Sequence, residues 1–250
     1  MSEIVSYIQS LDLPSAPPSR GPEDQTPPPA FTAAHQAVTV GSQMAEFSSA
    51  VPQSIRPAIS NGLLLGQLAA DKAMHGNPDP VAYFQAFNGV MKKIGWQITA
   101  SELNEQTISD KNAALHKAII PIVAAIFGPG AAAGSIIIQV LKGLESMDQD
   151  APWITVFEQK SNRVKAANFG LSYVDSGAGG GATLKTAYFT LLASQNLTQV
   201  LFFKFSSSDA TMKSGQCQMG LSPQIIAVSG TTLEDKVGPF IVSNIKNVDI

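Results

Sequence analysis

Residues 118–144 read AIIPIVAAIFGPGAAAGSIIIQVLKGL, from Ala118 to Leu144. No charged side chain stands between Lys117 and Lys142, and Gly128-Pro129-Gly130 breaks the run at its centre. An uncharged run this long reads either as one membrane-spanning helix or as two shorter ones. Pro121 and the Gly-Pro-Gly break speak against one straight helix. Each arm also has its own helical period: Leu115, Ala118, Ile119, Ile122, Val123 and Ile126 before the break, then Ile136, Ile137, Val140, Leu141, Leu144 and Met147 after it. One-sided periodicity asks for an apolar surface on one face only. The expectation is a buried helical hairpin, capped at its start by Asn112 or Asp110 and ended in its first arm by Gly128. Ile119, Ile122, Ile126, Ile136, Ile137, Val140 and Leu141 are its candidate lipid-contacting residues. With no charge in its loop, such a hairpin can also leave its core and enter lipid.

Around this stretch the chain has 250 residues, of which 44% are hydrophobic and 14% charged. That is enough for one sizeable core or two small ones. The net charge of -3 and the absence of a basic run argue against nucleic acid as a partner, because phosphate binding needs a basic face. One cysteine excludes an internal disulfide framework. The start, MSEIVSYIQSL, has no basic segment before its apolar residues, so no cleavable signal is read there. The expectation is secretion by another route or association with a host membrane, with a soluble form.

Residues 1–30 are read as a flexible N-terminal segment. Ile4, Val5, Ile8 and Leu11 make a short amphipathic helix, and Pro14 to Ala30 holds seven prolines, an extended tether. Residues 31–250 form the domain. Phe31 to Val40 reads as a first strand or the lead-in to a helix. Gln43 to Ala50, Ser54 to Met74 and Val81 to Ile94 read as helices, with a turn at Gly76–Pro80. Trp96 to Ile108 reads as extended. After the hairpin, Trp153 to Phe157 reads as β-rich, and Phe169, Leu171 and Tyr173 alternate as a half-buried strand. Leu184 to Ala193 is a strand, and Leu197 to Ser206, with Val200, Leu201, Phe202, Phe203 and Phe205, reads as the central one. Further strands are expected at Met212 to Leu221, Gln224 to Val228 and Phe240 to Val242. Helices followed by antiparallel strands imply an α+β fold with helices covering a sheet.

Catalytic motifs are sparse. Gly177-Ala178-Gly179-Gly180-Gly181-Ala182 matches a dinucleotide fingerprint as text, but a strand follows it and not a helix, so it reads as a hairpin loop. His35, His75 and His116 show no metal-ligand spacing, and no metal site is expected. Glu102, Glu105 and Asp110 read as a solvated face. Cys217, in Ser214-Gly215-Gln216-Cys217-Gln218-Met219-Gly220, has no His or Lys beside it to make a reactive thiolate. It reads either as a small buried hydrophobe or as an attachment point for a fatty acid, whose burial is worth about 0.8 kcal/mol per methylene. No enzyme activity and no required cofactor is expected.

From Trp153 onward, PWITVFEQKSN, the alternating NFGLSYVD, a glycine loop, and Gln199-Val200-Leu201-Phe202-Phe203 before Ser206-Ser207-Ser208-Asp209 stand in an order that resembles the cytolytic delta-endotoxin (Cyt-like) fold family. The resemblance spans roughly residues 110–230. It implies a single-domain α/β/α sandwich, a mostly antiparallel central sheet wrapped by helical hairpins. It also implies non-enzymatic action on membrane lipid, with homo-oligomers forming on the membrane in the pore-forming cytolysins of the family. Its Erwinia virulence factor branch, active in insect gut, carries a fatty acid on a buried cysteine. Cys217 falls where that cysteine is expected, which implies covalent palmitate there. The proline-rich arm and the unmatched N-terminal half favour that branch over the pore formers. The resemblance thus implies a virulence factor or toxin that meets membranes or fatty acid. A pore-forming cytolysin is the first alternative, and a protein-binding adaptor docked through the proline arm is the second.

Overall fold

The computed structural model describes residues 2–17, 29–74, 79–106, 114–163, 165–193, 196–197, 199–204 and 210–249. Its helices are α1 (Glu3–Ser10), α2 (Arg56–Met74), α3 (Pro80–Lys93), α4 (Leu115–Phe127), α5 (Pro129–Gly134), α6 (Ile136–Gly143), α7 (Pro152–Ser161) and α8 (Pro223–Asn244). Its strands are β1 (Gln36–Val40), β2 (Gln43–Phe47), β3 (Gln97–Gln106), β4 (Ala166–Ser176), β5 (Ala182–Ala193), β6 (Ala210–Leu221) and β7 (Ile245–Asn247).

The strands form one sheet in the order β3-β6-β5-β4-β2-β1-β7. Every pair is antiparallel except β2 with β4. Alternation sends successive side chains to opposite faces, and each face has its own core. On one face Val38, Ala45, Val174, Leu184 and Met219 pack with α1, α2, α3 and α8. On the other, Met44, Phe169, Leu171, Phe189 and Leu191 pack with α4, α6 and α7. The expected α+β sandwich, helices on both sides of a mostly antiparallel sheet, is the observed architecture. The N-terminal helix forms as α1, capped by Ser2, and buries Ile8 completely in the first core beside α8.

Several expected elements change type. Gln43 to Ala50 is expected as a helix, yet Gln43–Phe47 is strand β2. Gly41, at φ +57, turns the chain so that Val40 pairs with Gln43, and ladders on both sides outweigh the helical preference of Met, Ala and Glu. Trp153 to Phe157 is helical, within α7. Pro152 opens it, and Trp153, Val156, Phe157 and Ser161 are buried at helical spacing. Gln224 to Val228 and Phe240 to Val242 both lie inside α8, which Ser222 caps by accepting from the Ile225 amide; the last strand, β7, begins at Ile245.

The apolar run at Val200–Phe203 is no strand of the sheet. Its backbone is satisfied elsewhere. Glu158 of α7 accepts from the amides of Val200 and Leu201, and the Leu115 amide donates to the Phe203 carbonyl at 2.7 Å. Val200 and Leu201 are still fully buried. A short apolar run is equally compatible with a strand and with a buried connection. The glycine loop is the tight turn joining β4 to β5: the Gly177 amide donates to the Gly181 carbonyl, and a Cβ on Gly181 would sit 2.3 Å from the Leu221 carbonyl oxygen. The capping residues Asp110 and Asn112, the tether at 18–28 and His75 lie outside the described residues.

Candidate functional site: the apolar hairpin and its latch

The run from Ala118 to Leu144 is a helical hairpin, α4–α5–α6, and its first arm ends at Gly128 as expected, with φ +86. Among the described residues no helix is long and apolar enough to cross a membrane. Ile119, Val123, Phe127, Ile137, Val140 and Leu141 are buried against the sheet, while Ile122, Ile126 and Ile136 are only partly covered. The residues turned to solvent include Pro121, Ala125, Pro129, Gly130, Ala133 and Gly134. Charges gather only at the hairpin base, where Lys117 and Glu145 pair at 2.9 Å.

One buried carboxylate fastens this hairpin to the sheet. Glu46, fully buried on β2, accepts from Ser135 Oγ at 2.7 Å and from the amides of Ile136 and Ile137 at 3.0 Å each. His35 Nε2 lies 2.6 Å from the same carboxylate. Ser135 is also the N-cap of α6, accepting from the Ile138 amide at 3.1 Å. The first turn of α6 presents unpaired amides and the positive end of its dipole, so an anion there is stabilised. The far end is held more lightly, by Lys185 Nζ donating to the Phe127 carbonyl at 3.1 Å. Beside that contact an open cavity of about 330 Å³ runs between the hairpin turn, Phe127 to Ala131, and Tyr173, Asp175, Thr183 and Lys185.

Cys217 lies on β6 beside Ser101 of β3 and Thr186 of β5. It belongs to the core under α2 and α3, the sheet face opposite the hairpin. The two expected sites are therefore separated by the sheet. The thiol is 1% exposed and lies 3.7 Å from Asn88 Oδ1. Burial pushes its pKa up to about 12, against the pull of Lys92 and Ser101. It stays a protonated thiol at neutral pH, and a thiol makes a poor nucleophile.

Two partly buried acids are held structurally. Glu158 is raised by burial, while the Val200 and Leu201 amides pull the other way. Asp71, also raised by burial, pairs with Arg163 at 2.7 Å. Among the described residues no three His, Cys, Asp or Glu side chains are grouped to hold a metal ion. The Glu46 latch has only half a signature in sequence. Ser135 ahead of an apolar run is a readable cap, but its partner stands 89 positions away.

No family model matches the chain, and no curated protein matches it. Several solved structures are similar to it, among them the following three. A delta-endotoxin is 16% identical over 83% of this chain and 91% of its own, at a TM-score of 0.38. The activated Cyt2Ba monomer from Bacillus thuringiensis subsp. israelensis is 12% identical over 71% and 96%, at 0.37. The Evf virulence factor is 10% identical over 99% and 92%, at 0.38. At TM-scores this low the functional reading rests on the chain's own residues.

Proposed function

We propose that this is a non-enzymatic, membrane-engaging protein of toxin or virulence-factor type, and that α4–α6 is the element that meets lipid. The observation that carries the reading is the hairpin's uncharged surface from Ala118 to Leu141, anchored by one carboxylate. Its inner residues pack on the sheet, and each is worth about 2 kcal/mol when removed from water. Lipid tails are as apolar as a protein core, so transfer to a bilayer keeps that gain. What release would cost is close packing, the four contacts of Glu46, and exposure of Phe169, Leu171, Phe189 and Leu191. Insertion before full release, or a second copy covering the exposed sheet, would reduce that last cost. A homo-oligomer on the membrane is therefore the form expected if pores open.

Ala125 and Ala133 are exposed on the hairpin, outside both cores. Ala125→Lys combined with Ala133→Lys should fold with the wild-type circular dichroism spectrum yet lose vesicle co-sedimentation at least tenfold. Undiminished binding by the folded variant would remove the hairpin from the mechanism. Dye release on the same vesicles separates pore formation from quiet association.

A fatty acid on Cys217 is the finer part of this reading. Its support is positional: the only cysteine of the chain is buried between sheet and helices. With Asn88 against the thiol, an acyl chain would require α3 to move off β6. Intact-mass measurement of protein from its native host decides it, and an unmodified thiol ends this part of the proposal.

A further inference from the structure

The two faces of the sheet differ in polarity. Beneath the hairpin, β4 and β5 present Ala167, Phe169, Leu171, Ala187, Phe189 and Leu191. Beneath α2 and α3, the same strands carry Asn168, Ser172, Thr186, Tyr188 and Thr190, all buried. Most of this polar row is satisfied: Ser172 and Thr186 share a hydrogen bond at 2.9 Å, and Gln43 Nε2 donates to Tyr188 OH at 3.3 Å. Three atoms in and beside it are not. Gln43 Oε1, Asn168 Oδ1 and Tyr83 OH are buried without a hydrogen-bond partner. Leaving a buried polar atom unpaired costs about 1–3 kcal/mol, so three in one place call for an explanation.

All three residues line the same cavity, of about 20 Å³, together with Ser42, Phe84 and Thr190. A space of about 10–15 Å³ on this measure holds one water when two to four polar partners surround it. We propose that this cavity is a binding site for one internal water molecule, shared by Gln43, Asn168 and Tyr83. The hydrogen-bond valences match. The two amide oxygens accept, and a water molecule supplies two donors. The phenol donates, and the water oxygen accepts. Burial, with the charge of Asp71 behind it, raises the Tyr83 pKa above its ordinary range, so the phenol keeps its proton. Ser42 lies against that phenol and pulls its pKa the other way, but the Ser42 hydroxyl gives its own proton to Gln67 Oε1 at 3.0 Å, and the geometry leaves Tyr83 OH without a hydrogen-bond partner. No lining residue is charged, which favours a neutral occupant. The water would join α3 to β2 and β4, and so fix the helical layer opposite the hairpin.

A crystal structure of the full chain tests this, with a rubidium soak as its second arm. The expected result is one density peak within hydrogen-bond distance of all three atoms that takes up no rubidium signal. An empty cavity, or the three groups paired with one another, overturns the proposal. A peak with rubidium anomalous signal also overturns it, in favour of a monovalent cation. In solution, oxygen-17 relaxation dispersion counts long-lived internal waters. Asn168→Leu and Gln43→Leu should each lose the amplitude of one such water relative to wild type, and equal amplitudes in all three proteins would refute the site.

Discussion

Arg56 is fully buried and donates to the carbonyls of Ala33, Ala34, Ser48 and Val51, with its guanidinium 5.5 Å from the Phe47 ring centroid. Burial lowers its pKa, yet the fan of carbonyls holds the segments before β1 and after β2 against the start of α2. Arg56→Met keeps the apolar stem and strands those carbonyls. It should cost about 3 kcal/mol, read as a lower denaturant midpoint at unchanged slope. The role of Arg56 cannot be read from its sequence neighbours Ile55 and Pro57, because its hydrogen-bond acceptors are backbone carbonyls placed by the tertiary turn. Cys217 is the reverse case. A stretch of sequence without His or Lys beside it already points to an unreactive thiol, whereas its burial against Asn88 and its seat on the face opposite the hairpin follow only from the register of β6.

At the scale of elements, the hairpin was legible because it obeys a local rule: two apolar periods, a glycine stop and an uncharged turn. The latch was not. Glu46 sits in a stretch, QMAEF, whose composition favours helix, and only pairing with β1 and β4 turns its carboxylate toward α6. Glu46→Gln should expose the dependence. The amide keeps one acceptor but presents a donor to donors, at a cost of about 3 kcal/mol. Hydrogen exchange should quicken first at Ile136, Ile137 and Ile138, before the β4 and β5 amides. Uniform acceleration across the sheet would mean that Glu46 supports the whole fold and not the hairpin alone. Trp153–Phe157, Val200–Phe203 and Gln224–Val228 have one feature in common: their β-branched and aromatic residues favour a strand locally, and a cap, a proline at the first helical position or distant hydrogen-bond partners override that preference.

At the scale of the whole molecule, two cores share one sheet, and partly buried acids tie its layers together. Asp71 reaches Arg163 beyond the end of α7, and Glu158 holds the connection that follows β5. Both have pKa values raised by burial, so the folded state binds more protons than the unfolded chain just above the ordinary carboxylate range. Stability from these groups is complete below their unfolded pKa and is lost as pH rises through the folded one. The stability of wild type relative to Glu158→Gln should therefore fall as pH increases above 4.5, the ordinary value for Glu158; a difference that stays flat or rises would show that the amides of Val200 and Leu201 outweigh burial. By itself the sequence determined the fold class, the hairpin with its glycine break, the strands β3 to β6 and the absence of metal-ligand spacing. These are local matters, decided by period, capping and composition within a few turns of chain. Tertiary structure alone decided that QMAEF is a strand, that Val200–Phe203 is a buried connection, that Cys217 and the hairpin lie on opposite faces, and that Glu46 holds α6. Each of those depends on backbone and side-chain partners far apart along the chain, whose hydrogen bonds and burial outweigh the local preference of the residues themselves.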